Sequence, residues 1–347
     1  MTVHMALSNL GYRMPAEWEP HEATWLSWPH DLETWPAQLP ELENTYIEMI
    51  ACLSDGEKVH ILVHDEKSKG YVLNKLKQAG ITKNIFIHQV ETDSPWIRDY
   101  GPIFLAGKSK KLAFTNWAFN AWGKKYSAFQ KDNQVPKRVG QILKAEEFKV
   151  DTVLEGGAID VNGLGSALAT EECCLNPNRN AHLSRKDMER QFRDFLGIRH
   201  LIWLEAGIHG DDTDGHIDEV ARFVGPRTIV AALEWDSHSP NFEILKKNWE
   251  RLSRSADQDG KPLEVVTIPM PEKVETEGVV YPASYVNFYI GNKTVLVPIY
   301  HKKSDPIALG ILKSIFPSRK VVEISAIPLI YGLGAIHCIT QQEPKVL

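Results

Sequence analysis

Cysteine is scarce in this 347-residue chain: Cys52, Cys173, Cys174 and Cys338 form neither a CxxC pair nor a regular spacing, which argues against a disulfide framework. Long apolar runs are missing as well, and no window approaches the roughly 18 apolar residues that cross a bilayer. The opening stretch MTVHMALSNLGYRMPAEW has no basic start followed by an apolar segment, so no secretory leader is expected and the chain is placed in the cytoplasm. Basic blocks are absent, and 39 Lys and Arg face 45 Asp and Glu for a net charge of −6. That balance argues against nucleic acid, which needs a clustered positive surface, and suits a small cationic substrate. No Ser/Gly-rich linker interrupts the chain, so one domain over residues 1–347 is expected. Aromatics are not scarce: seven of the ten tryptophans (Trp18, Trp25, Trp28, Trp35, Trp96, Trp117, Trp122) fall within the first 122 residues, where packing is their default role.

What is present repeats. Four segments, PIFLAGKSKKLAFTN, AIDVNGLGSALAT, ARFVGPRTIVAAL and NFYIGNKTVLVP, each place a Gly-containing turn between two apolar runs and read as β-hairpins. Their turn glycines, Gly107, Gly163, Gly225 and Gly291, are 56, 62 and 66 residues apart. Helical patterns lie between them: LPELENTYIEMIACL, KGYVLNKLKQAG, PKRVGQILKAEEF, SRKDMERQFRDFLG, NFEILKKNWERLSR and DPIALGILKSIF. Ser184 and Ser304 read as N-caps, and Gly80 and Gly197 as C-terminal stops. VHILVHD, NIFIHQV, HLIWLEAG and VVEISAIPLI supply further strands. The result is an α/β chain of about five units of roughly 60 residues. KKYSAFQKDNQVPKR and SRSADQDGKP read as surface loops, the first long enough for a lid.

Counting back from the turn glycines, Asp99 and Glu155 each lie 8 residues before theirs and Asp218 lies 7 before its own. Arranged radially, such units bring three carboxylates and the neighbouring His216 to one central place. Each residue also has a plainer reading. An acid beside a glycine caps turns, a lone His is more often structural, and a lone Cys in an apolar run is more often a small core residue. Cys173 and Cys174, after an acidic pair on a strand, read as core. Metal signatures fail: a calcium loop on DDTDG would have Gly210 at its first ligand position and Ala221 at its last, and HxD with a distant Cys338 is no zinc pattern. His337 projects away from Cys338 if both lie on a strand. The GLG triplets at Gly163 and Gly332 lack the rest of a dinucleotide fingerprint, so neither metal nor cofactor is expected. One thiol, one imidazole and several carboxylates suit covalent chemistry on a cation, a guanidinium above all, which carboxylates hold through paired N–H donors.

The segments MPAEWEPHEATWLSWP, WIRDYGP, EGG, DGHIDEVARF, SYVNFYI and GAIHCITQQEP, in this order from Met14 to Pro344, resemble the agmatine deiminase family. That family is grouped with bacterial peptidylarginine deiminases in the guanidino-group-modifying, or pentein, superfamily. The resemblance covers nearly the whole chain. It implies a five-bladed ββαβ propeller with the site on its axis and a possible homodimer. It makes Cys338 the nucleophile, His216 the general acid and base, and Asp99 and Asp218 the guanidinium clamps. Glu155 would bond a substrate nitrogen or His216, Trp96 would lie beside the guanidinium, and Asn287 would line the same pocket. The implied reaction converts agmatine and water to N-carbamoylputrescine and ammonia. The chain departs from the family at Leu333 and Ala335, within its glycine-rich stretch, and at Asp214 and Glu219, where plant-like members read Asn; Leu333 would reshape a pocket wall. Alternatives are deimination of arginine in peptides or of another guanidino compound, amidino transfer to an amine, and a binding ring without turnover. Free arginine would need a partner for its carboxylate, for which only Arg98 and Arg222 stand out.

Overall fold

Apolar runs on either side of a tight turn pair with each other because the turn leaves them adjacent and antiparallel. The computed structural model, which describes residues 6–31, 34–108 and 110–346, shows this at all four expected hairpins. Ile103–Gly107 pairs with Leu112–Ala118, Asp160–Val161 with Ser166–Thr170, Ala221–Phe223 with Thr228–Leu233, and Tyr289–Ile290 with Thr294–Ile299. Ser109, within the first of these segments, and the first five residues of the opening stretch lie outside the described residues.

Each second strand runs on to a helix and returns as a third strand parallel to it. The helices are Val135–Leu143, Arg185–Leu196, Phe242–Ser253 and Asp305–Ile315, and the returning strands are Glu146–Val153, His200–Leu204, Glu264–Pro269 and Lys320–Ser325. A fifth unit is built from both ends of the chain. Thr340–Pro344 pairs antiparallel with His21–Ser27, which leads through Leu39–Leu53 to the parallel strands Lys58–Val63 and Ile85–Gln89. Five sheets thus share one ββαβ pattern, and among the described residues they remain separate, with none closing on itself.

Neighbouring units share their apolar filling. One core joins the fifth and first units around Trp25, Tyr46, Phe104 and Phe114, a second joins the third and fourth around Phe223, Leu245, Phe288 and Leu312, and another joins the first and second around Leu105, Trp117 and Phe192. No unit buries its apolar face alone, so the repeats stabilise one another. Among the described residues no helix is long and apolar enough to cross a membrane.

Local chemistry sets the helix ends. Ser184 accepts from the Asp187 N–H while Asp187 accepts from the Ser184 N–H, and Gly197 closes the same helix at φ +76°. Ser304 precedes its helix as expected, but its hydroxyl makes no cap; it bonds Glu272 and Tyr285 instead. The expected helix through PKRVGQILKAEEF stops at Leu143, where Lys144 turns left-handed at φ +53°, and Glu146 onward joins the sheet. Cys173 and Cys174 are buried but not on a strand, because Thr170 caps a single turn, Glu171–Cys174, where the strand ends.

Candidate active site

In every unit the segment just before the first strand of the antiparallel pair is a short turn. These turns carry the residues singled out by sequence. Asp99 lies in the helical turn Ile97–Tyr100, with Trp96 just before it. Glu155 precedes the turn Gly156–Ala158, and His216 precedes Ile217–Glu219, which holds Asp218. Asn287 and Cys338 occupy the corresponding places before Tyr289–Ile290 and Thr340–Pro344. Equivalent positions in five like units therefore supply one cluster.

Gly157 shows how tightly it is drawn. A Cβ there would stand 2.6 Å from His216 Nδ1, 2.8 Å from Asp99 Oδ1 and 3.1 Å from Asp218 Oδ2, so only glycine lets the three groups converge. His216 Nδ1 is 3.6 Å from Asp99 Oδ1, and both ring nitrogens are buried without a hydrogen bond. Asp99 accepts from the Gly157 N–H at 3.0 Å and from the Trp122 indole at 2.9 Å. Cys338 Sγ lies 3.2 Å from Asn287 Nδ2, 3.9 Å from Glu219 Oε1 and 4.0 Å from Asp218 Oδ2. The same Asn287 amide donates to Glu219 Oε1 at 2.8 Å, while its Oδ1 accepts from the His337 N–H at 2.8 Å.

Burial and crowding set the charges. Burial, reinforced by Asp218 and Glu155 and opposed by His216, lifts Asp99 to a pKa of about 6. Burial also favours neutral His216, yet the carboxylates of Asp99, Asp218 and Glu155 win and raise its pKa. Asp218 ends below the ordinary carboxylate range: burial is the largest single influence and raises it, but the hydrogen bond from His337 and the nearby His337, His216 and Arg222 side chains together outweigh it. Glu219 is pushed well up by burial and by Asp218, and Cys338 by burial and by Asp218, Glu219 and Asp99.

Glu155 is placed differently from its expected bond to His216. Its Oε1 accepts from Arg179 Nε at 2.8 Å, and Arg179 continues to Asp214 and to the Thr213 carbonyl. His337 and Cys338 precede the last strand rather than lying on it; His337 turns to Asp218 and Glu17, and Cys338 Sγ lies 4.0 Å from the same Asp218 Oδ2. Arg98 and Arg222 are buried in internal bonds, Arg98 to Gln341 and Gln342 and Arg222 to Asp160 and Glu17. Neither is placed to meet a substrate carboxylate. In DDTDG, Asp211 accepts from the backbone of Thr213, Gly215 and His216, a turn-capping role.

A cavity of about 430 Å³ leads down to Cys338 and Asp99. Trp96, Trp122, Tyr126 and Tyr331 wall it, with Asp212 and Leu333 also on its lining. A Cβ on Gly332 would meet Trp35 first and then Trp96 at 2.8 Å, one on Gly334 would meet Trp96 at 2.5 Å, and Leu333 between them takes φ +65°. Tyr126 donates to Asp212 at 2.5 Å and Lys125 reaches Asp214 at 2.8 Å, so the start of the expected lid loop meets the loop that leads to His216. A larger cavity of about 670 Å³ lies beside Trp235 and Met270, and none of the candidate catalytic residues lines it.

Sequence reasoning missed Trp122, Tyr126, Asp212, Arg179 and Glu17 as parts of this region. Only AWG within AFNAWGKK carried a signal, an aromatic next to glycine at the start of the lid loop. Two sets of three side chains, Glu155 with Cys173 and His216, and Asp218 with Glu219 and Cys338, have ligand atoms within 4.8 Å of one another and could hold a metal ion. In the first set Arg179 already pairs with Glu155.

Fold and site together place the chain among enzymes that hydrolyse C–N bonds of linear amidines. The model of the Porphyromonas-type peptidyl-arginine deiminase family matches residues 13–344, and the chain belongs to that family. A provisionally named agmatine deiminase of Legionella pneumophila (strain Paris) is 37% identical over 347 residues, covering 99% of this chain and 98% of the relative. Among solved structures, the agmatine deiminase of Enterococcus faecalis superposes with a TM-score of 0.92 at 30% identity, covering 99% of each chain. A substrate-bound agmatine deiminase of C. jejuni gives 0.87 at 31% identity, covering 97% of each. An amidinotransferase from Microseira wollei, 12% identical over 97% of each chain, shares the fold at a TM-score of 0.55.

Proposed function

We propose that the chain is one deiminase domain whose five ββαβ units form the blades of a propeller around Cys338, and that it converts agmatine and water to N-carbamoylputrescine and ammonia. The observation that carries this reading is a buried thiol at the floor of an aromatic-walled cavity, with Asp99, Asp218 and His216 converging beside it. Asp99 and Asp218 clamp the guanidinium, and Trp96 offers it a ring face, worth about 0.5–2 kcal/mol. Asp212, toward the lid loop, meets the distal ammonium of agmatine. The names of the Enterococcus faecalis and C. jejuni relatives support the same substrate.

In the empty site the thiol is held protonated by burial and by its acidic neighbours. A guanidinium offsets those charges, the thiol proton passes to solvent, and the Asn287 N–H stabilises the thiolate. Sulfur adds to the central carbon, and a terminal nitrogen leaves as ammonia with a proton from His216. The resulting S-alkylthiouronium is attacked by water that gives a proton to His216, and cleavage of the C–S bond frees the ureido product. Glu155, fixed by Arg179, holds negative charge near the imidazole. No step uses a metal.

The test is ammonia release from agmatine without added metal. Wild type should turn over and Cys338→Ala should not, because no other group can form the adduct. Faster release from arginine or a peptidylarginine would move the assignment to those substrates, and ammonia from the Cys338→Ala protein would refute the thiol mechanism.

A further inference from the structure

The opening segment MPAEWEPH and the His of GAIHC lie 320 positions apart yet meet behind the nucleophile. His337 is buried between two carboxylates, with Nδ1 2.7 Å from Asp218 Oδ2 and Nε2 2.8 Å from Glu17 Oε2. Each ring nitrogen faces a carboxylate oxygen, so the ring bridges the two acids. Glu17 is held in turn by Arg222 at 2.8 Å, by Arg98 at 3.5 Å and by the Ile290 N–H at 2.9 Å. The far end of the chain of contacts is therefore rigid. At the near end Asp218 Oδ1 is buried and has no hydrogen-bond partner.

We propose that His337, anchored by Glu17, is a positioning residue: it fixes Asp218 Oδ2 and so turns Asp218 Oδ1 toward the reacting cation. This rests on Asp218 being a guanidinium clamp. The groups facing Asp218 are His337, His216, Arg222, Arg98, Glu219, Cys338 and Asp99; those facing His337 are Asp218 and Glu17. Of these, His337 makes the shortest hydrogen bond to the Asp218 carboxylate, at 2.7 Å against 4.0 Å from the Cys338 thiol. The His337 backbone also fixes the Asn287 amide that faces the sulfur, so a side-chain replacement leaves that second contact in place.

The experiment compares alkylation of Cys338 by 2-chloroacetamidine, a cation shaped like the guanidinium core, with alkylation by neutral 2-chloroacetamide, which has the same leaving group. Wild type should prefer the amidine. In His337→Gln the amidine rate should fall about tenfold or more, the scale of one hydrogen bond to a charged group, while the amide rate changes by less than about threefold. Loss of the hydrogen bond that lowers Asp218 favours its protonated form, so the acid limb of the amidine rate should also move to higher pH. Glu17→Gln, close in shape, should shift both readouts the same way by less, and it serves where His337→Gln fails to fold. A His337→Gln or Glu17→Gln protein that folds and keeps the wild-type preference and acid limb overturns the proposal while the clamp reading stands. No preference in wild type removes the clamp reading and the proposal with it.

Discussion

Replacing Trp122 by Phe removes one hydrogen bond and little else. The indole donates to Asp99 Oδ2 at 2.9 Å, while the ring packs edge-on against Phe119 at 5.0 Å and Tyr126 at 5.5 Å. Phe keeps much of that packing and loses the donor. Asp99 already sits at about 6 because burial opposes its charge, and the indole is one of the groups holding it down. A hydrogen bond to a charged group contributes about 1.5–3 kcal/mol, and about 1.4 kcal/mol corresponds to one pKa unit. The donor favours the ionised form, so its loss raises the pKa. If kcat/KM follows ionisation of Asp99, wild type rises through about pH 6, and the variant's acid limb lies about one to two pH units higher. The assay is the initial rate of ammonia release at low substrate between pH 5 and pH 9. At the alkaline end the two proteins should approach each other. A limb that stays in place, or a loss uniform across pH, would refute the argument and leave Trp122 a packing residue.

Two further outcomes follow from the cavity wall. Asp212→Asn should raise KM for agmatine about tenfold, the scale of one charge-assisted contact, and leave a guanidino substrate without a distal cation nearly unaffected; steady-state kinetics on the pair decide it. Gly334→Ala puts a methyl group 2.5 Å from the Trp96 ring. Such overpacking costs about 1–3 kcal/mol, so Tm should fall and kcat/KM with it, since Trp96 must move.

The hairpins were legible because each is local: both strands and their turn lie within one short segment, and alternation plus glycine marks them. The fifth antiparallel pair was not, since His21–Ser27 finds Thr340–Pro344 only after everything between has folded. The spacing of Asp99, Glu155 and Asp218 from their turn glycines carried the position of the site, because like units place like positions together. Partners were not legible. Nothing in LEGG announces Arg179 beside Glu155, and nothing in MPAEW announces His337 beside Glu17. The hydroxyl of Ser304 was misjudged for a related reason: a local cap competed with the distant carboxylate of Glu272, and the carboxylate won.

The distribution of cations among the buried acids explains why this arrangement selects a cationic substrate. Away from the sulfur three buried acids have arginines: Glu17 has Arg222 and Arg98, Asp160 has Arg222, and Glu155 has Arg179. Beside the sulfur the pattern changes. Among the described residues no arginine or lysine forms an ion pair with Asp99, Asp218 or Glu219; Asp99 meets His216, Asp218 meets His337, and Glu219 has the Asn287 amide. The result is uneven protonation, with Glu219 and Cys338 pushed toward their neutral forms and Asp99 raised to about 6. An entering guanidinium meets, beside Asp218, two carboxyls, Asp99 and Glu219, whose charge is otherwise suppressed, and by restoring it gains more than from an acid already paired with arginine. A neutral ligand of the same shape would leave that suppression in place, so charge as well as fit discriminates at the nucleophile.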